Sequence, residues 1–143
     1  MHFVTRERIH VDRIATAWAI RGFVDPDAVF EFVPRARDVS VMDAIPFDMR
    51  GAELSHHGGR CTLEALIEKH ELADPGLVRM ARVIRAADLP QEEDAPAEAA
   101  GVLAIFDGIR DSIRTDDERL LVGFAVCDAL YAYCRSREVP PSG

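Results

Sequence analysis

The sequence has no long apolar run, no secretion signal and no basic segment. No apolar stretch approaches the roughly 18 residues needed to cross a membrane, and the opening MHFVTRER has neither an apolar centre nor a small-residue cleavage site. Lys and Arg total 17 against 25 Asp and Glu, a formal net charge of −8, which disfavours direct nucleic-acid binding. We therefore expect a cytoplasmic protein that binds neither membranes nor nucleic acids.

Cysteine is scarce and odd in number. The three residues are Cys61, Cys127 and Cys134, which in a reducing compartment indicates free thiols or a metal ligand rather than a disulfide framework. The chain has 143 residues, 48% of them hydrophobic and 29% charged, which suits one folded domain. We therefore expect a single domain over residues 1–143 that needs no disulfide.

Hydrophobic periodicity divides the chain into a strand-rich first half and a helical second half. Short strands are predicted at HFVT, VFEFVP, AIPFD and AELSH, with one helix, VDRIATAWAIRGF, after the first strand. Four helices are then predicted, in TLEALIEKHEL, GLVRMARVIRAAD, AEAAGVLAIFDGIRDSI and TDDERLLVGFAVCDALYAYCR. This pattern predicts an α+β fold, with a small, mostly antiparallel sheet from the N-terminal half packed against about four helices from the C-terminal half.

Several helix ends carry clear sequence signals. Asp74 followed by Pro75 is typical of an N-cap and a first helical position. Thr115 and Glu118 have the spacing of a capping box. An acidic loop is predicted at residues 89–96 and a frayed end at residues 139–143.

Three acidic residues lie on or beside apolar helical stripes. Asp88 continues a stripe close to a helix C-terminus, where the dipole disfavours negative charge, so we expect a positive group nearby. Glu98 begins the apolar stripe of the predicted helix AEAAGVLAIFDGIRDSI, and Asp128 lies beside the apolar stripe of the predicted helix TDDERLLVGFAVCDALYAYCR. A buried lone carboxylate is costly unless it is paired, protonated or bound to a metal. Salt bridges to arginine are the alternative for all three. A further alternative for Glu98 is a favourable interaction with the helix dipole in the first turn, and for Asp128 it is a hydrogen bond across a helix contact.

The segment SHHGGRC lies directly before a predicted helix. Gly58 and Gly59 allow a tight turn, and the helix start together with Arg60 suits an anion. Such surroundings should lower the pKa of the Cys61 thiol and favour metal binding or redox chemistry. The alternative is a simple turn in which Cys61 packs as a small hydrophobic residue and the histidines are solvated.

His56 and Cys61 are close enough in sequence to reach one ion. Two ligands do not make a site, because Zn or Fe needs one or two more. Asp12, Asp88 and Glu98 are the candidates for the remaining positions. Asp12 has a simpler interpretation as the N-cap of the first helix.

Several motifs taken together resemble one known family. VDRIATAW, IPFD, SHHGGRC and DALYAYC occur in this order between about Thr5 and Cys134, and this order resembles the C-terminal domain of the chromate-resistance protein ChrB family. His56 falls on the recurring histidine of an H-x-G-x-x-C loop in that family. The other residues on motif positions are Asp12, Arg13, Trp18, Arg21, Asp48, Cys61, Arg85, Asp88, Glu98 and Asp128.

The resemblance implies a role in bacterial chromate resistance. Longer members of the family act as chromate-responsive regulators of efflux operons and carry an additional N-terminal region, which this sequence does not include. Thr16 and Ala17 stand where many relatives have a cysteine and a proline, so thiol chemistry is absent at that point. The resemblance therefore implies the sensing or metal-handling half of the family, working alone, as a homodimer or with a partner protein.

The leading hypothesis is an accessory protein of chromate or related oxyanion stress that holds a metal ion. The ion would be Fe, Zn or Mn, bound through His56 and Asp88, with Cys61, Glu98 and Asp12 as further candidate ligands.

Three other hypotheses remain open. A metal-free module would seat chromate or a sulfate-like dianion with Arg60, Arg13 or Arg21. A metal-dependent oxidoreductase would use Cys61 as a redox thiol, although the sequence has no dinucleotide fingerprint, phosphate loop or nucleophile elbow. A purely structural partner of another chromate-resistance protein is the fourth, so the sequence does not decide whether the chain is an enzyme.

Overall fold

The sheet is small and entirely parallel. The computed structural model describes residues 1–89 and 94–138. Its strands are β1 (His2–Arg6), β2 (Val29–Val33) and β3 (Ile45–Pro46), in the order β2-β1-β3. Strand β1 pairs in parallel with both neighbours. The α+β class is confirmed, but the prediction of a mostly antiparallel sheet is wrong.

The connections between the strands explain the parallel order. Antiparallel neighbours can be joined by a short hairpin, whereas parallel neighbours need a longer crossover, usually a helix. Helix α1 (Val11–Ala19) follows β1 and precedes β2, so β2 runs in the same direction as β1. The predicted strand AELSH is not a strand in the described residues, where Leu54 forms only an isolated parallel bridge with Phe47.

The described ranges contain five α-helices. They are α1, α2 (Thr62–Lys69), α3 (Pro75–Asp88), α4 (Glu98–Ser112) and α5 (Asp116–Glu138). Helices α2 to α5 are the four predicted in the second half, and α1 adds a fifth. Beyond α1 the helix continues as a π-helical stretch at Ile20–Val24, so helical structure covers the whole predicted segment VDRIATAWAIRGF.

The predicted N-caps of α3 and α5 are present. Asp74 accepts a hydrogen bond from the Leu77 N–H at 2.9 Å, and Pro75 is the first residue of α3. Thr115 Oγ1 accepts from the Glu118 N–H at 3.2 Å. Residues 90–93 of the predicted acidic loop and the predicted frayed end at 139–143 lie outside the described residues.

One apolar core connects α1 with the sheet and the other helices. Ile14 on α1 and Phe106 on α4 are fully buried in it, and α5 packs mainly against α3 and α1. Trp18 Nε1 donates to Asp128 Oδ1 at 2.8 Å, so the hydrogen bond considered for Asp128 is confirmed. None of the helices in the described ranges is long and apolar enough to cross a membrane.

Gly123 marks a close approach of α5 to α1. A Cβ at Gly123 would lie 2.5 Å from Ile14 Cγ2. Gly123→Ala is therefore expected to overpack this contact and to lower the free energy of unfolding by about 1–3 kcal/mol. Gly108→Ala on α4 is the matched control, because no heavy atom lies within 4 Å of its added methyl and alanine gains roughly 0.5–1 kcal/mol over glycine in a helix. Urea denaturation measures both effects, and equal stabilities of the two variants would contradict the packing argument.

Candidate functional site

The loop before α2 is a tight turn that positions His56. Gly58 and Gly59 have φ angles of 56° and 79°, and the Arg60 N–H donates to the His57 carbonyl at 3.0 Å. Two central residues with positive φ are a conformation that glycine adopts readily. The glycines therefore form the turn that the sequence allowed, and this turn returns the chain from His56 to the start of α2.

Three carboxylates surround one nitrogen of His56. Its Nε2 lies 2.9 Å from Asp12 Oδ2, 3.4 Å from Asp48 Oδ1 and 3.2 Å from Asp88 Oδ2. Potential ligand atoms of Asp12, Asp48 and His56 all lie within 4.8 Å of one another. A ring nitrogen carries at most one hydrogen, which points to one acceptor. Nε2 can therefore donate its hydrogen to only one of the three carboxylates that surround it.

Asp12 is held by α2 rather than by its own helix. It lies in the first turn of α1, where His10 is the N-cap residue, and it is 2% exposed. Its carboxylate accepts from the N–H groups of Thr62 at 2.9 Å and Leu63 at 3.2 Å. The interpretation of Asp12 as the N-cap of the first helix is therefore wrong. Its charge stabilises the start of α2, because unpaired amides at a helix N-terminus attract an anion.

Asp48 belongs to the site although the sequence analysis did not propose it as a ligand. Its Oδ2 accepts from Arg13 Nε at 3.0 Å, and its Oδ1 accepts from Thr62 Oγ1 at 2.7 Å. Arg13 Nη2 also donates to the Asp48 carbonyl at 2.6 Å. The backbone of Asp48 has a φ of 48°, a left-handed conformation that aspartate tolerates better than most residues. Asp48 lies on no helical stripe, so its position on the IPFD motif was the only signal in the sequence.

Asp88 is the last residue of α3 and points to the same nitrogen. Burial, followed by the charge of Asp12, raises the pKa of Asp88 to about 6. The C-terminal end of a helix also disfavours a negative charge. The positive group expected beside Asp88 is His56.

His56 and the neighbouring carboxylates shift each other's pKa values. Hydrogen bonds to Asp12 and then to Asp48 raise the pKa of His56 to about 10, although burial opposes this shift. Burial alone would raise the pKa of Asp48, but the hydrogen bond from His56 and the charge of Arg13 outweigh it and lower that pKa. At neutral pH the imidazole is therefore protonated and Asp48 is ionised.

A cavity of about 260 Å³ opens beside these side chains. On its edge, His10 Nε2 lies 2.7 Å from Asp107 Oδ1, a contact that the sequence did not indicate. The residues that line the cavity are His10, Asp12, Arg13, Asp48, His56 and Asp88. The cavity wall is therefore polar and rich in carboxylates.

Cys61 does not face this cavity. Its side chain is fully buried, and Sγ lies 3.9 Å from the Ala81 carbonyl oxygen. Cys61 is the N-cap of α2, and its N–H donates to Glu64 Oε1 at 3.1 Å. Burial, followed by the charge of Asp12, raises the pKa of the Cys61 thiol, so the expectation of a lowered pKa is wrong. Its packing is that of a small hydrophobic residue.

The other predicted site residues lie in different surroundings. Glu98 is in the first turn of α4, where its charge acts on Cys134. Arg21 donates to the Ala28 carbonyl at 2.9 Å, and Arg60 pairs with Glu68. Among the described residues, Arg13 is therefore the only one of the three proposed arginines that lines the cavity.

The raised pKa of His56 predicts a specific pH dependence in chelator-treated protein. Because this pKa lies above the ordinary value of 6.5, the interaction contributes its full stability below pH 6.5 and loses it as the pH rises through about 10. His56→Gln should therefore reduce the decline in the free energy of unfolding over this range. His57→Gln is the matched control and should retain the decline. Denaturant titrations across the pH range test this, and identical curves for His56→Gln and the unchanged protein would contradict it.

Comparison with known proteins places this site in a defined family. The family described as "ChrB, C-terminal domain" matches residues 3–134. The chain is 38% identical over 136 residues to Protein ChrB of Cupriavidus metallidurans strain CH34, an alignment that covers 94% of this chain and 41% of that relative. No solved structure matches the chain. The chain belongs to the ChrB C-terminal domain family.

Proposed function

We propose that this chain serves chromate resistance as a domain that binds a metal ion through Asp12, Asp48 and His56. Membership of the ChrB family supports the general role. Because the chain spans only 41% of the length of its ChrB relative, the mechanism is argued from its own residues. Cytoplasmic location and a response to chromate or a related oxyanion remain part of this proposal.

The observation that carries the proposal is the convergence of the Asp12 and Asp48 carboxylates on His56 Nε2. At metal–ligand bonds of about 2.1 Å, neighbouring ligand atoms lie about 3.0 Å apart around an octahedral ion and about 3.4 Å apart around a tetrahedral one. The oxygens of Asp12 and Asp48 lie 2.9 and 3.4 Å from Nε2. With all three ligand atoms within 4.8 Å of one another, this spacing fits one ion bound by Asp12, Asp48 and His56.

The charge of the site supports the same conclusion. With a neutral imidazole, the cavity wall carries the carboxylates of Asp12, Asp48 and Asp88 against the guanidinium of Arg13. This leaves two formal negative charges uncompensated, which is the charge that a divalent cation supplies. The proton on His56 neutralises one of them in the absence of a metal.

The ligand types favour Fe, Mn or Zn. Imidazole nitrogen suits Zn and Fe, whereas carboxylate oxygen also suits Mn. Asp12, Asp48 and His56 form the proposed ligand set, and Asp88 lies outside this set, 3.2 Å from His56 Nε2, where it adds negative charge beside the site. Inside this set the ion would act as a Lewis acid toward a molecule in the adjoining cavity.

Two of the three alternative functions receive less support from the geometry. A metal-free oxyanion module needs converging positive groups, but Arg13 is paired with Asp48 and the cavity wall is rich in carboxylates. An oxidoreductase that uses Cys61 needs an accessible thiolate, but that thiol is buried and its pKa is raised.

Metal analysis of protein purified without a histidine tag tests the proposal. We expect about one equivalent of Fe, Mn or Zn, and a stabilisation of about 2.7 kcal/mol when the free ion is at one hundred times its Kd. Asp48→Asn should weaken metal binding by more than about tenfold, a loss that even outer-shell changes can cause. Asp43→Asn, at an exposed position five residues away, is the matched control. Absence of stoichiometric metal, with thermal stability unchanged by chelator, would falsify the proposal.

Metal binding should also release a proton from His56. The imidazole is protonated at neutral pH, and it must be neutral to bind a metal. Calorimetry at pH 7 in two buffers of different ionisation enthalpy should show about one proton released per ion, and the affinity should increase as the pH rises towards about 10. An affinity that does not change with pH, together with no buffer dependence, would contradict this role of His56.

A further inference from the structure

Helix α5 has a second apolar face that the fold leaves exposed. One face is buried against the core through Leu120, Gly123, Cys127 and Cys134. An amphipathic surface helix would carry polar residues on the opposite side. In residues 1–89 and 94–138 this side is instead uncovered and, apart from Asp128 at its edge, which accepts a hydrogen bond from Trp18, consists mainly of apolar or small residues, which are Leu121, Val122, Ala125, Ala129, Ala132 and Tyr133. We call these six residues the outer α5 face.

We propose that the outer α5 face binds the same face of a second copy of this chain, with the two helices antiparallel. The first turn of α5 is acidic, with Asp117 and Glu118, and the last turn is basic, with Arg135 and Arg137. Antiparallel packing places the acidic start of each helix beside the basic end of the other, and it also opposes the two helix dipoles favourably. Parallel packing would bring like charges together. The charges therefore select a two-fold, antiparallel pair, in which both copies use the same surface.

The positions of the side chains agree with one antiparallel register. Asp117 and Arg135 are 18 residues apart, which is five helical turns, so both lie along the same edge of the helix. Leu121 and Ala132 are 11 residues apart, about three turns, and they also share one edge. The midpoints of both pairs fall close to residue 126. A two-fold axis at that level places Asp117 opposite Arg135 of the second copy and Leu121 opposite Ala132.

The other edge and the centre follow the same symmetry. Val122 and Tyr133 are also 11 residues apart and share the other edge of the outer α5 face. Ala125 and Ala129 lie at the centre, one turn apart, with their midpoint at residue 127. Large side chains therefore meet towards the ends, and alanine meets alanine at the centre, where small side chains allow two helices to approach closely.

The size of the face sets the expected affinity. Residues 117 to 137 span about 30 Å at 1.5 Å per residue, and a helix is about 10 Å wide, so each copy contributes roughly 300 Å². A standard stable interface buries about 800 Å² per partner. We therefore expect a dimer that dissociates on dilution, and its measurement needs a concentration series.

Sedimentation equilibrium from micromolar to millimolar protein tests this dimer. The unchanged chain should show a reversible monomer–dimer equilibrium. Ala125→Arg places a long charged side chain at the centre and should raise the dissociation constant by at least about tenfold. Ala104→Arg makes the same change at an exposed position of α4 and should leave the equilibrium unchanged. A chain that is monomeric at every concentration, or a dimer unaffected by Ala125→Arg, would overturn the proposal.

A charge exchange tests the antiparallel register. Asp117→Arg and Arg135→Asp should each weaken the dimer, because each variant places like charges opposite each other. Combining both changes in one chain restores opposite charges across the two-fold axis and should recover most of the original affinity. Circular dichroism confirms that each variant remains helical. A double variant no tighter than either single variant would exclude this register.

Discussion

The buried carboxylate of Asp12 is the interaction on which the rest of the site depends. A buried carboxylate without donors costs several kcal/mol, whereas each hydrogen bond to a charged group contributes about 1.5–3 kcal/mol. Asp12 meets this requirement by accepting from the first two amides of α2 and from His56. The need to satisfy one charge therefore fixes α2 against α1 and brings His56 to the same point.

The start of α2 then determines where Asp88 lies. Glu64, in the first turn of α2, accepts from the N–H of Cys61 and pairs with Arg85 on α3 at 3.0 Å. Arg85 and Asp88 are three residues apart, so they lie on neighbouring positions of one helical face. A chain of polar contacts thus runs from Asp12 through α2 to the end of α3. The carboxylate of Asp88 lies beside His56 because these contacts hold the start of α2 against the end of α3. The site residues themselves are far apart in sequence.

Most helices, and the candidate grouping of His56 with Asp12 and Asp88, could be predicted from the sequence, because the helices and the acid on an apolar stripe leave local signals. Periodicity and caps identified α3 and α5, and Asp88 was recognised as an acid in an unfavourable place. The parallel sheet was missed because short strands give no information on their direction, even though α1 had been predicted between two of them. The role of Asp12 was misassigned because capping of its own helix is a local pattern. Its actual contacts are with residues 50 and 51 positions away.

The buried thiol of Cys61 shows the limit of arguing from motif position. A cysteine at a helix start is usually activated when it is exposed to the positive end of the helix. Here Asp12 already occupies that end, and its negative charge adds to burial in raising the pKa of the thiol. The same anion that organises the site therefore keeps the cysteine neutral. The sequence does not show which of two nearby groups interacts with the N–H groups at the helix N-terminus, because that depends on tertiary packing.

The three carboxylates differ in how much the fold needs them. Asp12 anchors α2, and Asp48 connects Arg13 with Thr62, so both have structural reasons to remain where they are. Asp88 forms an ion pair with His56, and it lies at a helix end that disfavours its charge. Groups that conflict with local stability mark functional positions more often than groups that support it. Asp12 and Asp48 thus hold elements of the fold together, whereas Asp88 adds a negative charge beside His56 that the fold does not require.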